Sequence, residues 1–538
     1  MSRIYDNLVF VLMVVILCVF AFMGSEFLEI EFLEATKGDE FPQILQFENM
    51  FYGALNLDIK QFFAFGFYNY GFVYYVLNLL VTAPFFAFDS YTGAIFMPRI
   101  LQGIFSVLNI FMLYRIAKLY LSEKNAFLLV LYFVSMAGFW LIGSNVKPDF
   151  FQSFFILLCA YFLIKDNVSF GKNYTFAIIA LGLGVGIAKF QAVMFLPLIF
   201  SYIALPCVYV LSKDNILKAF KRVCVASVMI SALWIVTNPY LLHPRGFNAW
   251  LSMFKLNMNS NATNHGAYIN PTLSDKVAMM DFYYFEILIF ALLLVLCAYI
   301  LVRFLRQKEA VFGVFASIVC GFGVSIFYLF AFVNKTWASY YMSSIALGVV
   351  ILGFGGGQMM KDKRKMPILL CVALCLQIFS SVANGAYKDV FMKDMPLSAI
   401  KERSAIMVSA LKQVAPSDKT YNVLTNNTAF AFLELNLAPK NIFNVYGRLD
   451  KQSFVYEEWA KKPHTFAFVP KDFIVLFKDS AFFDKTKQPK IVDENLQSSI
   501  AVLNELESGL LPYKKVFDSA KLVIYQNTDS THSLILGE

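Results

Sequence analysis

Long runs of apolar residues, separated by short polar turns, recur from Leu8 to Ala386 and then stop. A helix needs about 20 such residues to cross the hydrocarbon core of a bilayer, so the pattern predicts a polytopic helical membrane protein. The expected spans are 8–23, 94–114, 125–144, 149–165, 174–188, 190–211, 223–240, 281–302, 311–333, 338–360 and 366–386, about eleven crossings. The first follows Met1-Ser2-Arg3 and has no small-x-small cleavage pattern behind it, so it reads as a retained signal-anchor helix.

One apolar segment, Phe62 to Phe88, leaves the topology ambiguous until the basic residues are counted. Arg115/Lys118/Lys124, Lys165/Lys172, Lys213/Lys218/Lys221/Arg222, Arg303/Arg306/Lys308 and Lys361/Lys363/Arg364/Lys365 fall in short connections. Basic connections face the cytoplasm. All five do so only if Phe62–Phe88 lies on the outer surface or dips into it, with the N-terminus inside. Its aromatics, Tyr68, Tyr70, Tyr74 and Tyr75 among them, suit an interface better than a bilayer centre. Residues 24–93 are then a first outer loop with juxtamembrane helices.

Beyond the last apolar run the pattern changes to a helical period over Ser398–Val414 and short β-rich runs. These are Tyr421–Thr425, Ile442–Tyr446, Phe473–Phe477, Lys514–Phe517 and Leu522–Tyr525. The expected organisation is a transmembrane domain, 1–386, and a C-terminal extracytoplasmic α/β domain, 387–538.

Composition agrees. Of 538 residues 59% are hydrophobic and only 15% charged, with a mean hydropathy of +0.61, which excludes a soluble multidomain protein. The eight cysteines lie in the apolar spans and none in the polar C-terminal region, arguing against disulfides or a cysteine metal site. The net charge of +8 is absorbed by the cytoplasmic anchors. No basic face remains for nucleic acid.

Topology gathers the unusual polar residues into one outer layer: Asp39/Glu40, Arg99, Lys147-Pro148-Asp149, Lys189, Asn238-Pro239-Tyr240, Arg245, His265, and Lys335 with Trp337, Tyr340 and Tyr341. Ionisable groups at the ends of membrane helices are functional candidates by default. Each has an ordinary alternative. Asp39 and Glu40 sit in an acidic stretch that a solvated loop would also explain. Asp149 is well placed to cap the helix that begins at Phe150. Lys189, ending a Gly-rich segment, has the stem of a snorkelling lysine, although simple anchors belong on the cytoplasmic side. Arg245 and Lys335 follow that logic with less force, and His265 is a lone histidine in an Asn-rich loop.

A retained first helix, an outer loop with Asp39-Glu40, an Arg-led second span, the Lys147-Pro148-Asp149 turn, the segment ending in Lys189 and the Asn238-Pro239-Tyr240 corner together resemble the GT-C superfamily. The chain is most similar to the bacterial protein O-mannosyltransferase and lipid A aminoarabinose transferase group, over about residues 1–390. The resemblance implies transfer of a sugar from a polyprenyl-phosphate carrier to a lipid A, envelope-glycan or protein acceptor, outside the cytoplasmic membrane. It matches Asp39 to the first-loop catalytic aspartate, Glu40 to its acidic neighbour and Asp149 to the second outer-loop carboxylate. The Glu-Lys-Pro-Pro-like segment of aminoarabinose transferases is absent, with Phe67-Tyr68-Asn69-Tyr70-Gly71 in its place.

The chemistry calls for a base to deprotonate the acceptor hydroxyl on the face opposite the leaving phosphate, for which Asp39 is the candidate. The phosphate needs cations rather than a general acid; Lys189, Arg245, Lys147, Lys335 and His265 are the candidates. Tyr68, Tyr70, Tyr74, Tyr240, Trp337 and Tyr341 would line a groove for lipid and substrate. No cofactor is required. Metal-using relatives exist in the superfamily, and Asp39 with Asp149 is the pair that would share a divalent ion. The rival reading is a transporter or flippase of lipid-linked sugars, whose internal repeats and interrupted helices are not evident here.

Overall fold

The computed structural model describes residues 2–25, 40–64, 68–88, 90–143, 145–263, 270–360 and 365–391, with separate pieces between 409 and 529. Helix α1 spans Ser2–Ser25. The segment expected to form the first outer loop contributes α2 (Glu40–Leu55), α3 (Ile59–Phe63) and α4 (Phe72–Ala87). Next come α5 (Tyr91–Ala117), α6 (Glu123–Val134), α7 (Ala137–Gly143), α8 (Asp149–Asp166) and α9 (Lys172–Leu183), the last widening into a π-turn, Gly184–Ala188. Short 3₁₀ turns open the spans that contain α10 (Leu196–Tyr209) and α16 (Met342–Met359). Between these lie α11 (Lys213–Thr237), α12 (Pro244–Thr263), α13 (Leu273–Tyr283), α14 (Ile287–Gln307) and α15 (Ala310–Phe332), and α17 (Lys365–Ala383) and α18 (Ala386–Phe391) follow.

The protein is a multi-pass membrane protein. Among the described residues, eight helices are long and apolar enough to cross a bilayer, nine when α6 and α7 are joined across their 69° bend. Each of the eleven expected spans coincides with a helix or a bent or broken pair. The remaining two are α8, whose ends carry Asp149, Lys165 and Asp166, and the 172–188 segment with its π-turn.

Helix α4 begins and ends at one end of the bundle. Its first amide bonds to Asn238 at the end of α11, and its last turn leads directly into α5. At 1.5 Å per residue it is about 24 Å long, short of the hydrocarbon thickness. The polar contacts of the helices fall into two layers. At the cytoplasmic end expected from the charges, Lys118 bridges Asp6 and Glu123, and Asp166 accepts from Tyr202 and three backbone amides. The described candidate residues occupy the opposite end. Between the layers lies a continuous apolar core including Phe133, Ile199, Leu293, Phe315 and Val349.

The C-terminal strands β1 (Tyr421–Thr425), β2 (Ile442–Tyr446), β3 (Phe466–Pro470), β4 (Tyr513–Asp518) and β5 (Leu522–Asn527) form one sheet in the order β2-β1-β3-β5-β4. β1 runs parallel to β2 and β3, whereas β5 is antiparallel to β3 and β4. Four of the five expected strand runs are present, Phe466–Pro470 is an additional strand, and Phe473–Phe477 lies outside the described residues.

Candidate active site

Asp149 is the first residue of α8, and its side chain makes no capping bond. The carboxylate turns instead to Lys189, whose Nζ donates to Oδ1 at 2.9 Å. Both are buried, at 3% and 5% exposure. The second oxygen, Oδ2, has no hydrogen-bond partner among the described residues. A buried carboxylate oxygen left open in this way is rare in folded proteins and marks a place where a ligand group or water completes the bonding.

Lys189 is delivered by unusual backbone. The π-turn ends in an extended residue, Lys189 itself, which forms a β-bridge with Tyr70. Gly71 N donates to Ala188 O at 3.0 Å, and Phe190 N to Asn69 O at 3.1 Å. Asn238 binds both sides of this junction: its Oδ1 accepts from Phe72 N, and its Nδ2 donates to Gly186 O, each at 2.8 Å. A Cβ at Gly71 would lie 2.1 Å from Gly186 O, so the close approach requires glycine there. The ammonium of Lys189 then sits over the rings of Tyr70 and Tyr340, at 5.5 and 5.0 Å.

Glu40 opens α2 and is fully buried. One oxygen accepts from Arg99 Nη2 at 2.7 Å and the other from Val146 N at 2.8 Å. Gln43, one turn on, donates to Val146 O and accepts from Tyr74 OH. Helix α2 is thus pinned to the chain just before Asp149. A second group of cations lies beside this network. Lys335 Nζ donates to Ser260 Oγ at 2.6 Å and lies 4.6 Å from the centre of the Trp337 ring. Lys147 Nζ lies 5.7 Å from the same ring.

A cavity of about 330 Å³ opens beside Lys189, with Phe190, Gln191 and Asn69 on one side and Trp250, Phe254, Asn257 and Asn261 of α12 on the other. Its walls are mainly apolar. Trp250 and Phe254 stack at 5.4 Å and 17°.

Residues 91–237, which carry Arg99, Asp149 and Lys189, match the family described as dolichyl-phosphate-mannose-protein mannosyltransferase. The chain also shares the fold of ArnT from Cupriavidus metallidurans in the apo state, with a TM-score of 0.51 and 10% identity over 97% of this chain and 98% of that one. The chain has the GT-C fold. ArnT bound to undecaprenyl phosphate matches at 0.49 and 11% identity over the same shares of both chains. The Archaeoglobus fulgidus oligosaccharyltransferase in complex with Zn and sulfate matches at 0.44 and 11%, over 87% of this chain and 70% of that one. A comparison with curated proteins finds no match.

Within this GT-C fold the expected residues separate into groups. Glu40, Asp149, Lys189, Tyr70 and Tyr74 converge around the pinned start of α8, and Lys147, Lys335 and Trp337 form the neighbouring cluster. Tyr68 packs edge-on against Tyr240 at 5.2 Å, and Tyr341, the last residue of the 3₁₀ turn that opens the α16 span, is buried. Arg245 is exposed on the first turn of α12, away from the ion pairs. Asp39 and His265 lie outside the described residues. Among the described residues no three His, Cys, Asp or Glu side chains form a metal-ligand group, and the atom nearest to Asp149 Oδ1 in kind and charge is already a cation, Lys189 Nζ. Gln43, Asn69, Gln191, Asn257 and Ser260 were not expected from the sequence. Trp250, Phe254, Asn257 and Asn261 recur at helical spacing along α12, a signal legible in the sequence once that segment is taken as helix.

Proposed function

We infer that this transferase moves a sugar from a polyprenyl-phosphate carrier to an acceptor at the outer face of the cytoplasmic membrane, with inversion at the sugar carbon. The observation that carries the reading is the buried Lys189–Asp149 pair at the head of an apolar cavity in the outer polar layer. A lipid phosphate needs that combination: an apolar wall for isoprenoid carbons, and a cation where they end.

In the reaction Asp39 takes the proton of the acceptor hydroxyl. The acceptor oxygen forms its bond to the anomeric carbon as the bond from that carbon to the phosphate oxygen breaks, and the electron pair leaves with the carrier phosphate. Lys189 holds the charge that develops there, with Lys147 and Lys335 as further cations of the same layer. Asp149 keeps the Lys189 ammonium aimed, and its open oxygen is available to a sugar hydroxyl. Glu40 positions the chain leaving Asp39 through its bonds to Arg99 and Val146 N. Relatives supply context for the donor: ArnT has been seen with undecaprenyl phosphate. Lipid A, another envelope glycan and an exported protein are the acceptor classes, and residues 387–538 would lie on the acceptor side as an extracytoplasmic domain.

The test is transfer of labelled sugar from polyprenyl-phosphate-sugar by purified protein in detergent, with membrane extracts as acceptor source. Wild-type protein should transfer, and Asp39→Asn should abolish transfer while leaving donor binding. Full activity in the Asn variant would remove Asp39 from the role of base.

A further inference from the structure

We propose that α18 is a positioning strap for the candidate active site, and that Tyr387 within it sets where Lys147 and Asp149 stand by closing the break between α6 and α7. The catalytic half of the proposal rests on the transfer reading above; the structural half does not. Gly385, at a φ of +81°, turns the chain back after α17, and α18 packs on α7. Ala386 and Val390 are buried against Ala137, and the Phe391 ring lies 5.6 Å from that of Trp140. Asp389 Oδ2 accepts from Tyr283 OH at 2.7 Å.

The break leaves backbone carbonyls to be satisfied. Helix α6 ends at Val134 and α7 begins at Ala137, the two bent by 69°, and a helix end frees the carbonyls of its last turn. Those of α6 are taken from within the break and α7: Leu131 O by Ser135 N, Tyr132 O by Ser135 Oγ, Phe133 O by Met136 N and Val134 O by Trp140 Nε1. Ser135 O is met from 252 residues away, by Tyr387 OH. A carbonyl left without a donor in apolar surroundings is costly, so this hydrogen bond ties the angle of the break to α18.

The angle of the break aims the site. The chain runs from the end of α7 at Gly143 directly to Lys147 and to Asp149 at the start of α8, with Val146 N held by Glu40 on the way. Helix α7 also reaches the other side of the site. A Cβ at Gly138 would lie 2.4 Å from the Tyr284 ring, and Tyr284 OH donates to Ala338 O, on the 3₁₀ turn whose Tyr340 ring faces the Lys189 ammonium. Helix α7 therefore bears on both members of the buried pair, on Asp149 through the chain and on Lys189 through Tyr284 and the turn. Because α18 leads into the residues that carry the β-sheet, the strap also fastens the C-terminal region to the helices that hold the site.

The experiment compares wild type, Tyr387→Phe and Asp389→Asn as the purified full chain in detergent, by amide hydrogen exchange and by transfer of labelled sugar from polyprenyl-phosphate-sugar. Tyr387→Phe removes one hydroxyl and keeps the ring. Exchange over 137–149 should quicken by about three- to tenfold, the worth of one hydrogen bond, while exchange over 172–183 stays as in wild type. In transfer, kcat should fall by about tenfold with donor KM nearly unchanged, as when a reacting group is misplaced rather than lost. Asp389→Asn should act in the same direction and more weakly, and it carries the test if Tyr387→Phe does not fold. Unchanged exchange over 137–149 in both variants overturns the proposal. Quickened exchange with an unchanged kcat also overturns it, reducing α18 to a packing element. Absence of transfer by wild type counts against the transfer reading instead, and exchange over 137–149 then decides the strap.

Discussion

Lys189 and Asp149, 40 residues apart in the chain, meet as a buried ion pair with 2.9 Å between Nζ and Oδ1. Removing one partner strands the other. Lys189→Met is expected to destabilise the protein by roughly 3–5 kcal/mol, because it leaves a carboxylate buried without its cation. The double change Lys189→Met with Asp149→Asn should cost less than the sum of the single changes. Thermal unfolding in detergent of the three variants measures this, and strict additivity would show that the pair is not coupled.

Glu40 is bonded on both oxygens, to Arg99 and to the Val146 amide, so its work is to hold α2 against the start of α8. Glu40→Gln keeps the size and loses the charge. Donor KM should change little while kcat falls by about 10²-fold, the cost of misplacing a catalytic group by a small distance. An unchanged kcat in the transfer assay would detach Glu40 from positioning.

Asn238 joins α4 to the π-turn, and Asn238→Ala leaves Phe72 N and Gly186 O buried without that partner. Each orphaned group costs about 1–3 kcal/mol. Gly71→Ala attacks the same junction by sterics, its Cβ meeting Gly186 O at 2.1 Å. Both variants should lower the melting temperature and speed amide hydrogen exchange over 184–190. Normal protection there would mean that the π-turn is held by α8 and α11 alone.

Burial pushes the Tyr68 phenol up to about 12, against about 10 in an unfolded chain. With the folded value raised, the contribution of neutral Tyr68 is complete below pH 10 and is lost as pH rises towards 12. Tyr68→Phe removes the ionisable group, so its melting temperature should gain on that of wild type across this window. Parallel curves would place the Tyr68 hydroxyl in water.

Much of the architecture was legible in the sequence because its cause is local. Run length and composition decide whether a segment can cross a bilayer, and the basic turns decide which way, so the helices stand where the apolar runs stand. The strand Phe466–Pro470 was not legible. Five residues ending in proline carry little local signal, and it is pairing with β1 on one edge and β5 on the other that makes them a strand.

The layer of candidate residues divides in the same way. That Asp149, Lys189, Lys335 and Asn238 share one end of the bundle follows from counting crossings, a property of the chain alone. Their partners do not follow. Asp149 after a proline at the mouth of a helix looks like a cap, since the nearest donors in sequence are the amides of its own first turn. Only in the tertiary structure does the π-turn carry Lys189 to its carboxylate, and a buried ammonium at 2.9 Å outweighs a local amide. The Gly71–Gly186 approach and the amide-lined cavity have the same origin. Both arise where α4, α11 and α12 meet the 184–190 segment, and such meetings depend on packing between segments that no local pattern encodes.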